Sequence, residues 1–155
     1  MGHPVDPDPV RRDAGPTLIR RALRLAAWPV VIALCITPIR FVLELAGVPT
    51  VYVFLFGLLW FSLGLSIYWG VKLSAEAHPY RLLWSSLALF SPASRVPVFL
   101  LWWITHTWGL GTHYDIFESW DQAFVGQFFY GSLLQIIPGG LLGSLTLAIR
   151  RARAA

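Results

Sequence analysis

The chain has 155 residues, of which 56% are hydrophobic and 13% charged; a soluble domain carries roughly 25% charged residues, so a soluble fold is excluded. The formal net charge of +4 does not mark a nucleic-acid binder, because the basic residues sit at the ends of apolar runs and form no patch of their own. One cysteine, Cys35, lies inside an apolar run; an intrachain disulfide is excluded, and no Cys/His zinc spacing exists.

Residues 1–15, MGHPVDPDPVRRDAG, are polar and proline-rich. They read as a disordered tail, not a secretory signal, because no apolar run leads to a small-residue cleavage site. The residues after Gly2, HPVD, do not fit a myristoylation pattern. The next stretch, PTLIRRALRLAAW from Pro16 to Trp28, puts Leu18, Ala22 and Leu25 near one face and arginines on another. It is expected to open the first helix as an amphipathic extension.

A membrane-spanning helix needs about 20 largely apolar residues. Four stretches qualify, at about 25–46, 51–71, 80–105 and 123–149. The fold class is therefore an all-α integral membrane protein with four transmembrane helices. Strand alternation is absent, which argues against a β-barrel. The segments between the spans are GVPT, KLSAEAHP and the longer HTWGLGTHYDIFESWDQ.

Ten of the twelve Lys and Arg residues flank one side. Arg11, Arg12, Arg20, Arg21 and Arg24 precede the first span, Lys72 and Arg81 bracket the second loop, and Arg150, Arg151 and Arg153 follow the fourth. The positive-inside rule then puts both termini in the cytoplasm, in a bacterial-type cytoplasmic membrane. The third loop, expected outside, carries Asp115, Glu118 and Asp121. Trp and Tyr fall near both expected interfaces, as amphipathic rings do.

The first and third spans share a pattern: a Trp, then Thr37-Pro38 or Ser91-Pro92, then Arg40 or Arg95. This suggests two helical hairpins related as a parallel repeat. Proline inside a span frees a carbonyl that needs another donor, and Thr37, Ser91 and Ser94 stand nearby to supply one.

The two remaining arginines, Arg40 and Arg95, lie inside spans. With Ala26, Arg81 and Ile149 as inner edges, Arg40, Arg95 and Gln135 each lie about 14 residues in, or roughly 21 Å. That is one layer, slightly outside the midplane, and Gly57 of the second span leaves room there. Glu44, four residues after Arg40, is expected to pair with Arg40 or to reach Arg95. One carboxylate cannot neutralise two guanidinium groups, so the layer keeps a positive charge suited to phosphate or carboxylate.

These residues point to a non-enzymatic protein in which Arg40, Glu44, Arg95 and Gln135 bind, and move, an anionic lipid or small amphiphile. Two alternatives stand beside it. In one, the chain is a subunit whose arginines meet an acid on a membrane-protein partner. In the other, it is a membrane enzyme acting through His106, His113, Asp115 and Glu118 of the outer loop. Those four side chains match no closed zinc pattern, so no metal or other cofactor is expected. In the fourth span, Gly139 and Gly143 form GxxxG, which packs either inside the bundle, against Gly57 and Gly64, or between two copies of the chain.

Overall fold

The computed structural model describes residues 14–154, with side chains from Leu18 onward. Most of the expected tail lies outside the described residues; Ala14 and Gly15 instead begin the first helix. Four helices are long and apolar enough to cross a bilayer: Leu18–Leu45, Thr50–Lys72, Pro79–Trp108 and Trp120–Ala152. The elements are α1 (Ala14–Leu45), α2 (Thr50–Leu55), α3 (Leu58–Lys72), α4 (Pro79–Trp108), α5 (Trp120–Phe124), a π-helical turn (Val125–Gly131) and α6 (Ser132–Ala152).

Helix α1 absorbs the amphipathic stretch without interruption. Ala22, Ala26, Ala33, Thr37 and Arg40 are buried at helical spacing, while Arg20, Arg21 and Arg24 are exposed. This face packs along α4, and α3 packs along α6, which also meets α4. The third span is thus central and the most buried of the four. Leu82, Leu83, Leu87 and Phe90 of α4 share one core with Trp69 and Leu147. Phe90 receives the edge of Trp69 at 6.3 Å and Phe61 at 5.9 Å.

Lipid tails are as apolar as leucine, so close backbone approach must supply what hydrophobic exclusion does not. Small residues provide it between the second and fourth spans. A Cβ on Gly70 would stand 2.6 Å from the Gly143 carbonyl oxygen, and one on Gly143 would stand 2.9 Å from that of Ser66. One on Gly139 would meet Ser66 Oγ at 2.7 Å. The GxxxG pair is therefore spent inside the chain, buried against Ser66 and Gly70. It is not an outward-facing surface, and the expected partners, Gly57 and Gly64, are not used; nothing lies within 4 Å of a Cβ on Gly64. Ser66 tolerates this packing because its hydroxyl donates to the Ser62 carbonyl at 2.7 Å within its own helix.

The second span is interrupted where one helix was expected. Helix α2 ends at Leu55, and the Gly57 N–H turns back to the Phe54 carbonyl at 2.9 Å. A Cβ at Gly57 would lie 2.7 Å from that same oxygen, so only glycine fits. The proline-related hydroxyls also act differently from expectation. Thr37 donates to the Ala33 carbonyl, one residue short of the carbonyl that Pro38 leaves free. Ser91 donates to Gln135, and Ser94 donates to the Ser91 carbonyl at 2.8 Å and more weakly to Gln135.

One end of the bundle is held together by the basic residues. Arg21 pairs with Glu76, and Arg151 donates to the Ser74 and Glu76 carbonyls at 3.1 Å each. First span, second loop and fourth span are tied there.

Gly70→Ala forces two helix backbones apart and should cost about 1–3 kcal/mol. Thermal unfolding in detergent should show a lowered midpoint for this variant, and an unchanged one for Gly64→Ala.

Candidate functional site

Arg40 and Arg95 line the same cleft, of about 470 Å³. Its walls come from all four spans and the third loop. Arg40 stands on the first; Phe54, Gly57, Leu58, Leu59 and Trp60 on the second; Arg95 and Val98 on the third; Gln127 on the fourth; His113, Tyr114 and Ile116 on the loop. Gly57 faces Arg40 and Arg95 across this space, where room was expected.

The break in the second span positions Arg40. In a continuous helix the Val53 carbonyl would accept the Gly57 N–H; here that N–H is spent on Phe54. Arg40 Nε donates to the Val53 oxygen instead, at 2.9 Å. The arginine is 6% exposed, and no carboxylate lies in ion-pair range of it among the described residues.

The π-helical turn positions Arg95. Its Nη2 donates to the Gly131 carbonyl at 2.7 Å, and its Nη1 reaches Gln127 Oε1 at a weak 3.5 Å. Nε is buried without a partner among the described residues. Glycine at 131 is what admits the guanidinium, because a Cβ there would stand 3.0 Å from Arg95 Cζ. Wide π turns recur at functional positions, since they re-aim the side chains that follow.

Glu44 does not pair with Arg40 or reach Arg95. It turns to the third loop, where one carboxylate oxygen accepts the His113 backbone N–H at 2.7 Å and the other meets the His113 ring nitrogen Nδ1. The reason is valence: the turn at His113 offers its backbone N–H and its ring nitrogen together to a carboxylate at the end of its helix, and charge-assisted bonds of that kind are strong. His113 also packs on Phe54 at 5.2 Å and on Tyr114 at 4.0 Å. Tyr114 is 3% exposed and edge-on to Phe41 at 5.9 Å. Burial pushes its hydroxyl up to about 12, so it faces the cleft as a neutral phenol.

Gln135 was expected in the arginine layer. It sits instead one turn away, fully buried, its oxygen accepting Ser91 Oγ at 2.6 Å and Ser94 Oγ at 3.3 Å. Gln127 takes the place assigned to it. Gln127, Tyr114 and the carbonyls of Val53 and Gly131 were missed in the sequence. Gln127 was visible only as a second amide two turns earlier, and the π turn decides which amide faces Arg95.

The four outer-loop residues do not converge. His113 is taken by Glu44, and His106 meets Asp115 at 2.9 Å while stacking on Trp102 at 5.3 Å. Glu118 is exposed and joins neither pair. Among the described residues no three His, Cys, Asp or Glu side chains gather as a metal site would need.

The Glu44–His113 contacts clasp the third loop to the first span. Glu44→Ala removes two charge-assisted bonds, at a cost of about 2 kcal/mol to the closed loop, or roughly a thirtyfold shift toward opening. Hydrogen exchange at the amides of residues 110–116 should accelerate accordingly, with α6 unchanged. No family model, curated protein or solved structure matches this chain, so what the cleft does rests on its own chemistry.

Proposed function

We propose that the chain is an integral membrane protein that binds an anionic lipid or small amphiphile in the arginine cleft, and passes it between membrane and site. One observation carries this reading: two arginines line one cleft, and among the described residues no carboxylate neutralises either. An arginine at membrane depth costs several kcal/mol. A bound anion offsets that cost twice over, by charge and by the planar fork that guanidinium presents to phosphate or carboxylate.

The rim supports a lipid over a dissolved ion. Phe54, Leu59, Trp60 and Ile116 line the cleft and are all exposed on the side of the bundle. In a bilayer these groups face acyl chains, so an amphiphile enters sideways, head to the arginines and tail along the rings. The paired motifs Thr37-Pro38…Arg40 and Ser91-Pro92…Arg95 fit a duplicated hairpin in which each half delivers one arginine. Arg40→Leu and Arg95→Leu test the binding by native mass spectrometry of gently solubilised protein. The wild type should carry a lipid adduct that both variants lose, and Arg95→Leu should lose it while remaining folded by thermal unfolding. Bare wild-type protein, or a retained protein partner lost in both variants, would overturn the reading.

The orientation belongs to the same proposal, with both termini in the cytoplasm. Arg20, Arg21, Arg24, Lys72, Arg81, Arg150, Arg151 and Arg153 all gather at one end, and Glu44, Asp115, Glu118 and Asp121 lie toward the other. Glu118→Cys in a Cys35→Ala background should be labelled by an impermeant maleimide added to intact cells. Labelling only after lysis would reverse the orientation.

A further inference from the structure

Resting on that reading, the charge and donor inventory of the cleft narrows the chemistry of the occupant's head. Two fixed positive charges, Arg40 and Arg95, line it. Glu44 is bonded to the backbone and ring of His113 and does not itself line the cavity. Of the other polar groups there, Gln127 turns its oxygen to Arg95, which leaves its amide nitrogen for a ligand; the Tyr114 hydroxyl donates weakly to the Thr37 carbonyl at 3.5 Å, and His113 has its Nδ1 on Glu44.

A head with one negative charge would leave one guanidinium uncompensated in a low-dielectric wall, and an uncompensated buried charge is the costly case. A zwitterionic head fits worse, because its cation meets two arginines and no lining carboxylate. A phosphate monoester fits both requirements: it carries about −1.5 to −2 charge near neutral pH and presents three strong acceptor oxygens. Two guanidinium groups can then each take a pair of oxygens. The apolar rim of Phe54, Leu59, Trp60 and Ile116 supplies the surface for a chain attached to that phosphate.

We infer that the cleft selects a lipid whose head is a phosphate monoester, over lipids with phosphodiester or carboxylate heads. The arginine pair makes the selection through charge matching, and the aromatic rim makes the site one for a lipid and not for free phosphate.

The test is a binding panel on the full-length protein in detergent micelles, followed by native mass spectrometry. The probes are phosphatidic acid, phosphatidylglycerol with the same chains, a fatty acid and inorganic phosphate. Phosphatidic acid should bind at least about tenfold tighter than phosphatidylglycerol or fatty acid, because a second charge-assisted contact is worth at least that much. Inorganic phosphate should bind far more weakly. Arg40→Lys and Arg95→Lys keep the charge and remove the fork, and each should shrink the preference without abolishing binding. Equal affinity for phosphatidic acid and phosphatidylglycerol would overturn the selectivity and leave lipid binding standing. Inorganic phosphate binding as tightly as phosphatidic acid would make this a site for the free anion. No binding of any probe would overturn the underlying reading as well. The panel needs no variant, so a substitution that fails to fold does not blunt it.

Discussion

The bond from Arg40 to the Val53 carbonyl is the contact on which the upper half of the molecule depends. Backbone groups at membrane depth must find partners within the protein, since lipid offers none. Breaking the second span at Phe56–Gly57 creates an orphan carbonyl, and placing an arginine in the first span creates an orphan charge. Each cancels part of the other's cost. Remove the arginine and the break is exposed; close the break and the arginine loses its anchor. The cleft exists because the two irregularities face each other.

Arg95 and the π turn repeat this logic on the other side. An irregular helix presents the Gly131 carbonyl, and a guanidinium takes it at 2.7 Å. In both cases a backbone oxygen takes one nitrogen of the arginine, and no carboxylate among the described residues pairs with the charge. A structural arginine is normally matched to an acid, as Arg21 is to Glu76 at the basic end of this bundle. Glu44, at the end of the helix that carries Arg40, is committed to the loop. That division of labour separates holding the fold together from presenting charge to the cleft.

The number of spans, their places and the shared layer of Arg40 and Arg95 were legible in the sequence, because hydrophobic length and a rise of about 1.5 Å per residue are local properties. Gly57 was legible as open space but not as a helix break, since glycine inside an apolar run is common in membrane helices. Glu44 was misassigned because the four-residue spacing to Arg40 was weighed without the loop that returns from 69 residues away in sequence. Gln135 was misassigned for a different reason. Regular helical counting carries through α6 but not across Val125–Gly131, where each turn holds more residues and the facing residue changes. Long-range partners and irregular turns are set by tertiary competition, which spacing along one chain does not record.

The contact between Gly70 and Gly143 has a mechanical consequence. Two backbones that touch leave no slack for sliding, so the halves of the second and fourth spans at the basic end act as one rigid post. The other half of the second span, Thr50–Leu55, lies beyond that contact; it continues from the post through Phe56 and Gly57 and is tied to the first span by Arg40 on the Val53 carbonyl. Widening the cleft at this six-residue helix would therefore break the Arg40–Val53 bond and leave the Gly70–Gly143 contact untouched.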